Sequence, residues 1–159
     1  MIDYDEIIPE RLWVGSFVSE DTIPELQHLG ITAVISLQTD EDLIDYGVSP
    51  LRLAESYKDA GIEWRRVPIP DFDRGALAHR LPDAVTELSH ALAGPGSRAY
   101  LHCTAGISRS PTTAAGFLIL TECMPAQEAW DYITSRRACS PAFDVLCDYE
   151  ALVRASEDP

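Results

Sequence analysis

The fold class that this sequence predicts is α/β, a domain built on a mostly parallel sheet. Three observations carry that expectation. Short β-branched and apolar runs alternate with stretches of helical periodicity, the order that lays strands side by side and helices on their faces. Glycine and proline sit at the joints, as at Gly30, Gly61 and Gly94-Pro95-Gly96. The length, 159 residues of which 46% are apolar, suits one domain with an ordinary core. Repeats, low-complexity tracts and linkers are not visible.

In chain order, Leu12-Trp13-Val14 is a short strand closed by Gly15-Ser16. Pro24 to Leu29 reads as a helix stopped at Gly30, where a left-handed residue belongs. Ile31 to Leu37 is rich in β-branched residues and is expected to be a buried strand. The acidic stretch from Asp40 to Gly47 follows, without an assigned element. Pro50 to Ala60 reads as a helix ended by Gly61, and Ile62 to Val67 as a strand leading into a loop with Pro68 and Pro70. Leu81, Val85, Leu88 and Leu92 recur at helical spacing, which puts Pro82 in a first turn. Arg98 to His102 is a strand, and a loop runs from Cys103 to Arg109. The next helix is expected to carry Pro111 at its first position and to reach about Glu122. Pro125 to Arg136 is another helix, with Ala126, Ala129, Trp130 and Ile133 on one side. Ser140-Pro141 reads as the cap and first residue of a last helix facing inward through Phe143, Leu146, Cys147 and Val153.

Composition excludes some partners. Twelve basic against 26 acidic residues leave a net charge of −14, and Lys58 is the lone lysine. Nucleic acid is therefore not an expected partner, because displacing its counterions takes a basic face. Nor is an anionic membrane surface. The start, Met1-Ile2-Asp3-Tyr4-Asp5-Glu6, lacks the basic and apolar regions of a signal peptide. The apolar run around Phe117 to Leu120 falls far short of the roughly 20 residues that span a bilayer. A cytoplasmic setting is expected. Cys103, Cys123, Cys139 and Cys147 are spaced by 20, 16 and 8 residues, which matches neither a zinc knuckle nor a Cys-x-x-Cys redox pair. A reducing cytosol does not favour disulfides, so each is expected to be a small buried hydrophobe. Cys103 is the exception.

The segment His102-Cys103-Thr104-Ala105-Gly106-Ile107-Ser108-Arg109-Ser110-Pro111 points to phosphate chemistry. A loop between a strand end and a helix start aims successive N–H groups inward and adds the positive end of the helix. In parallel sheets such loops are where ligands bind. Gly106 allows a conformation that a side chain would block. Arg109 offers a planar fork matched to phosphoryl oxygens. Such positive surroundings lower a thiol's pKa to about 3.5–7.5, which makes Cys103 the candidate nucleophile. His102 is expected to fix the loop by a hydrogen bond, and Ser110 to donate to the thiolate.

With these residues the chain resembles the cysteine-dependent dual-specificity phosphatases, whose signature is His-Cys-x5-Arg-Ser. Low-molecular-weight phosphatases and arsenate reductases carry Cys-x5-Arg near the N-terminus, whereas here it begins at residue 103 of 159. The resemblance implies a central sheet of about five strands between helices. It also implies a two-step reaction through a cysteinyl-phosphate, with no metal or other cofactor. The family's general acid is an aspartate on a loop before the cysteine. Asp71, 32 positions upstream of Cys103, is the leading candidate and Asp73 its competitor, while Asp83 falls in a helix. The implied layout is one catalytic domain across 1–159: a recognition region at about 4–66, an acid loop at 68–75, a phosphate-binding loop at 102–110 and C-terminal helices at 111–155.

Leu12 to Ser16, Ile35 to Asp40, Asp45 to Val48, Asp71 to Asp73, Leu81 to Val85 and Arg136 to Pro141 further resemble the plant starch phosphatases. In that branch aromatics stack on sugar rings, which nominates Phe72 and Tyr46 as substrate contacts. The expected substrate is a phosphorylated glucan. Ser108-Arg109-Ser110 is the form common among phosphoprotein-directed members and keeps phosphoproteins as the alternative. A non-catalytic phospho-ligand module is a third reading, which the presence of Cys103, Arg109 and Asp71 does not require.

Overall fold

Ala99-Tyr100-Leu101-His102 is buried on both faces, the unbroken apolar pattern of a strand at the centre of a parallel sheet. The computed structural model describes residues 1–157. Among these, β1 (Tyr4–Ile8), β2 (Leu12–Gly15), β3 (Ala33–Ser36), β4 (Glu63–Arg66) and β5 (Ala99–His102) form one sheet in the order β1-β2-β5-β3-β4. Only the β1–β2 pair is antiparallel. The sequence-based expectation of a largely parallel sheet therefore holds.

Alternation along the strands sorts the core into two layers. Leu12, Val14, Ala33, Ile35, Ala99 and Leu101 face one side. There α4 (Arg74–Ala91), α5 (Arg109–Glu122), α6 (Ala126–Arg136) and α7 (Phe143–Glu157) cover them. Trp13, Val34 and Tyr100 face the other side, against α1 (Ile23–His28), α2 (Asp40–Asp45) and α3 (Pro50–Ala60). Pairing aligns Gly15, His102, Ser36 and Arg66 in one row at the C-terminal ends of the parallel strands. That row sets the floor of the site.

Several local expectations give way to tertiary packing. Strand β1 carried no alternating apolar pattern, and of its five residues only Ile7 is fully buried. It exists by pairing along the outer edge of β2. The acidic stretch is the helix α2, closed by a reciprocal cap in which Thr39 Oγ1 accepts from the Asp42 amide and the Asp42 carboxylate accepts from the Thr39 amide. Asp40, Glu41 and Asp42 in its first turn complement the helix dipole. Helix α4 starts at Arg74, so Pro82 lies in its interior rather than in a first turn. The ~3 kcal/mol cost of an interior proline is outweighed by burial of Leu77, Leu81, Val85 and Leu88 along one face.

Pro111 is the third residue of α5, not the first. Its missing N–H is still one that a helix start leaves unpaired. Ser140 and Pro141 do not cap α7, which begins at Phe143. They belong to the connection before it instead, where the Ser140 amide bonds Ile107 O at 2.7 Å and the Ala142 amide bonds Thr112 Oγ1 at 2.9 Å. Phe143 and Cys147 accordingly face outward, and Val145, Leu146, Tyr149 and Val153 make the inner face of α7. Cys123 is also exposed, in the left-handed position that ends α5, and Cys139 is half-buried. Of the four thiols only Cys103 is a buried one.

Candidate active site

Residues 103–108 form a tight loop between β5 and α5, and the backbone explains how it opens toward a ligand. Every carbonyl from Cys103 to Ser108 is drawn outward by a donor behind the loop. His102 Nδ1 reaches Cys103 O at 2.9 Å. The Phe17 amide reaches Thr104 O, also at 2.9 Å. The Arg137 guanidinium takes Ala105 O at 3.2 Å and Gly106 O at 2.8 Å. The Ser140 amide takes Ile107 O at 2.7 Å, and the Thr112 amide takes Ser108 O at 2.9 Å. Among the described residues, no amide from Thr104 to Ser108 has a protein acceptor. With their carbonyls turned out, these amides remain for an anion.

Gly106 has φ +71°, and a Cβ there would lie 2.6 Å from both Arg137 Nη2 and the Gly15 backbone. Both its conformation and the space around it require glycine.

Cys103 lies at the loop entrance, 3% exposed, with its Sγ 3.2 Å from Ser110 Oγ. His102 is wholly buried, and burial pushes its pKa down to about 4. The ring is therefore neutral at pH 7, with its Nδ1 proton donated to the Cys103 carbonyl.

Arg109 is the most heavily engaged side chain of the site, although only 3% of it is exposed. Its Nη1 donates to Asp42 Oδ2 at 2.7 Å and to Ile69 O at 2.8 Å. Its Nη2 donates to Thr104 Oγ1 at 3.2 Å and lies 3.2 Å from Asp71 Oδ2. Its Nε is buried without a protein partner. Burial works to raise the Asp42 pKa, but hydrogen bonds from Arg109 and Thr39 outweigh it and hold the carboxyl below the usual carboxylate range. Gln38, fully buried, donates from Nε2 to Thr104 Oγ1 at 3.1 Å. Arg66 in turn holds Gln38 O at 3.2 Å and pairs with Asp40 at 2.8 Å.

The two candidate acids differ sharply in surroundings. Asp71 sits in the turn after β4 and reaches Arg109. Asp73 caps α4, accepting from the Ala76 amide at 2.9 Å. Asp83 lies along α4 beside Arg80, away from the loop. Pro70, Asp71, Phe72, Asp73, Arg74, Leu77, Ser108 and Arg109 line a cleft of about 310 Å³. Phe72, at φ 58° and fully exposed, stands on its rim. Tyr46 is not part of that cleft lining. Its ring lies 4.8 Å from that of Phe17, whose amide holds the Thr104 carbonyl.

Asp42, Gln38 and the loop contact of Arg137 were not among the site residues expected from the sequence. An unassigned acidic run beginning three residues after a strand end was the one available signal for Asp42.

A cysteine and an arginine on one strand-to-helix loop, with a carboxylate across the cleft, is the equipment of a cysteine-based phosphatase. The family described as "Dual specificity phosphatase, catalytic domain" matches residues 12–150. The chain belongs to that family.

Among curated relatives, the amyloplastic phosphoglucan phosphatase DSP4 of Castanea sativa is 30% identical over 148 residues, 91% of this chain and 39% of its own. Laforin of Mus musculus is 31% identical over 167 residues, 98% of this chain and 48% of its own. Dual specificity protein phosphatase 1 of Homo sapiens is 25% identical over 142 residues, 89% of this chain and 35% of its own. The chain thus spans less than half the length of these curated relatives. The solved structure of PTPMT1 with PI(5)P superposes with a TM-score of 0.82 over 98% of this chain and all of that one, at 22% identity, and so shares the fold. Among the described residues no helix is long and apolar enough to cross a membrane.

Proposed function

We propose that this dual-specificity phosphatase domain hydrolyses phosphomonoesters on a phosphorylated glucan. The observation that carries the glucan assignment is Phe72, an aromatic face without a protein neighbour on the rim of the cleft that holds Asp71 and Arg109. A ring in that position offers a flat apolar surface to a sugar next to the scissile phosphate. Greater identity to a phosphoglucan phosphatase than to a dual-specificity protein phosphatase supports the same reading. So does the net charge of −14, which repels polyanionic partners and leaves a neutral polymer with sparse phosphates unaffected.

The chemistry follows from the loop. Equatorial oxygens of the phosphoryl group take the free amides of residues 104–108 together with the unpartnered Nε of Arg109. The Cys103 thiolate attacks phosphorus in line. The S–P bond forms as the P–O bond to the sugar breaks, and Asp71 gives its proton to the departing oxygen. Water then attacks the cysteinyl-phosphate and gives a proton to the Asp71 carboxylate, and phosphate leaves with rupture of S–P. Ser110 Oγ, 3.2 Å from Sγ, donates to the leaving thiolate. A reducing, cytoplasmic setting suits a chain whose four cysteines are all free.

The test is phosphate release from phosphorylated amylopectin and from a phosphopeptide panel, each normalised to an aryl phosphate. Turnover of the glucan that exceeds the peptides supports the assignment. Peptide turnover with none on the glucan overturns it in favour of a protein phosphatase. Cys103→Ser abolishes turnover of every substrate, and retained turnover would remove the cysteinyl-phosphate.

A further inference from the structure

We propose that Arg137 is the positioning residue of the phosphate-binding loop, braced from behind by Asp5 of the edge strand β1 and by Asp3 just before that strand. The proposal rests on the loop's role in holding phosphate and is independent of which polymer carries that phosphate.

A loop aims its amides inward only if its carbonyls find donors on the other side. Four of the six carbonyls from Cys103 to Ser108 are met by neighbouring backbone or by His102. Those of Ala105 and Gly106, at the apex, are met by no backbone amide, and one guanidinium serves both. Arg137 Nε takes Gly106 O at 2.8 Å and Nη2 takes Ala105 O at 3.2 Å. A planar fork holds two adjacent carbonyls in one fixed geometry, which a flexible ammonium does not pre-organise.

The arginine is itself only 4% exposed, and its remaining edge is filled. Nη1 donates to Asp5 Oδ2 at 2.9 Å, and Nη2 donates to Asp3 Oδ2 at 3.1 Å. Two carboxylates on its outer edge hold the guanidinium in place, which fixes the direction of its donors toward the loop. The same contact gives a role to β1. Its acidic, half-exposed residues do little for the core, yet they hold the arginine that holds the loop. Gly15 completes the fit, since the backbone of Gly106 packs against it too closely to admit a side chain.

The experiment compares Arg137→Ala, Arg137→Lys and Asp5→Asn with the core variant Leu118→Ala, which destabilises α5 without touching the loop. Thermal midpoints, kcat and KM on an aryl phosphate, and competitive inhibition by inorganic phosphate are measured for each. Misdirected amides predict a loss in kcat/KM of about 100-fold in Arg137→Ala, together with weakened phosphate inhibition. Arg137→Lys, whose ammonium lacks the fixed fork, restores only part of both, and Asp5→Asn lies between lysine and wild type. Leu118→Ala loses thermal midpoint but keeps its phosphate affinity. Wild-type phosphate affinity in Arg137→Ala or in the folded Asp5→Asn variant, or full rescue by lysine, overturns the proposal. A glucan-inactive but phosphate-binding wild type overturns only the substrate assignment.

Discussion

Asp42 Oδ2 lies 2.7 Å from Arg109 Nη1, and this pair decides which edge of the arginine faces the loop. With Ile69 O on the same nitrogen, Nη1 is committed to the protein. Nε, buried and unpartnered, is the guanidinium donor left for an anion, while Nη2 is shared between Thr104 Oγ1 and Asp71 Oδ2. Asp42→Ala is expected to lower kcat/KM on an aryl phosphate by about 10–100-fold, the equivalent of the ~1.5–3 kcal/mol of a hydrogen bond to a charged group. Steady-state kinetics alongside Thr39→Ala checks it. The threonine variant breaks the helix cap but leaves the carboxylate on Arg109, so it should lose stability with little loss of rate.

The buried His102 makes stability depend on pH. Its folded pKa of about 4 lies below its ordinary value of 6.5, so the unfolded chain binds the proton more readily. The stability contributed by the neutral ring is complete above pH 6.5 and declines as pH falls toward 4, by at most ~1.4 kcal/mol per pH unit. His102→Asn retains a side-chain donor and removes the titration. Urea midpoints measured from pH 7 to pH 4 should therefore fall less steeply in the variant. Equal slopes in the two proteins would assign the pH dependence to other groups.

How far the molecule was legible in its sequence depended on how local the deciding contacts are. The strands at 33–36 and 99–102 and the loop at 103–109 announce themselves, because β-branching and motif spacing are properties of adjacent residues. Strand β1 is written in Tyr4-Asp5-Glu6, polar residues whose pairing depends on β2 and whose carboxylate meets an arginine 132 residues away. Asp42 reads as a helix-capping acid, which it is, and nothing local says that Arg109 lies across from it. Pro82 reads as a helix start because the cost of an interior proline is local while the burial that offsets it is not. Ser140-Pro141 has the chemistry of a cap but is diverted by Ile107 and Thr112.

Asp71 and Asp73 are expected to separate cleanly on substitution. Asp73 accepts the Ala76 amide at the start of α4, so Asp73→Ala should cost about 1 kcal/mol of stability and leave the chemical step near normal. Asp71 faces Arg109 with no helix to cap. Asp71→Asn should slow turnover most for alkyl phosphates, whose leaving oxygen needs the proton, and least for an aryl phosphate with an acidic phenol. A plot of log kcat/KM against leaving-group pKa steepens in that variant if Asp71 is the acid. An unchanged slope moves the role elsewhere.

Phe72 carries the sharpest separation between substrate and scaffold. The ring is fully exposed and the residue sits at φ 58°, an uncommon conformation for a bulky side chain. Nothing in the core depends on it, so Phe72→Ala should leave the thermal midpoint and aryl phosphate turnover near wild type. If the ring stacks on the sugar that bears the phosphate, glucan turnover falls by about 2- to 13-fold, matching ~0.5–1.5 kcal/mol for an aromatic contact. Phe72→Tyr should retain the rate, because it keeps the face. An equal effect on glucan and aryl phosphate would instead place Phe72 in loop geometry, and the substrate preference would have to arise from another face of the cleft.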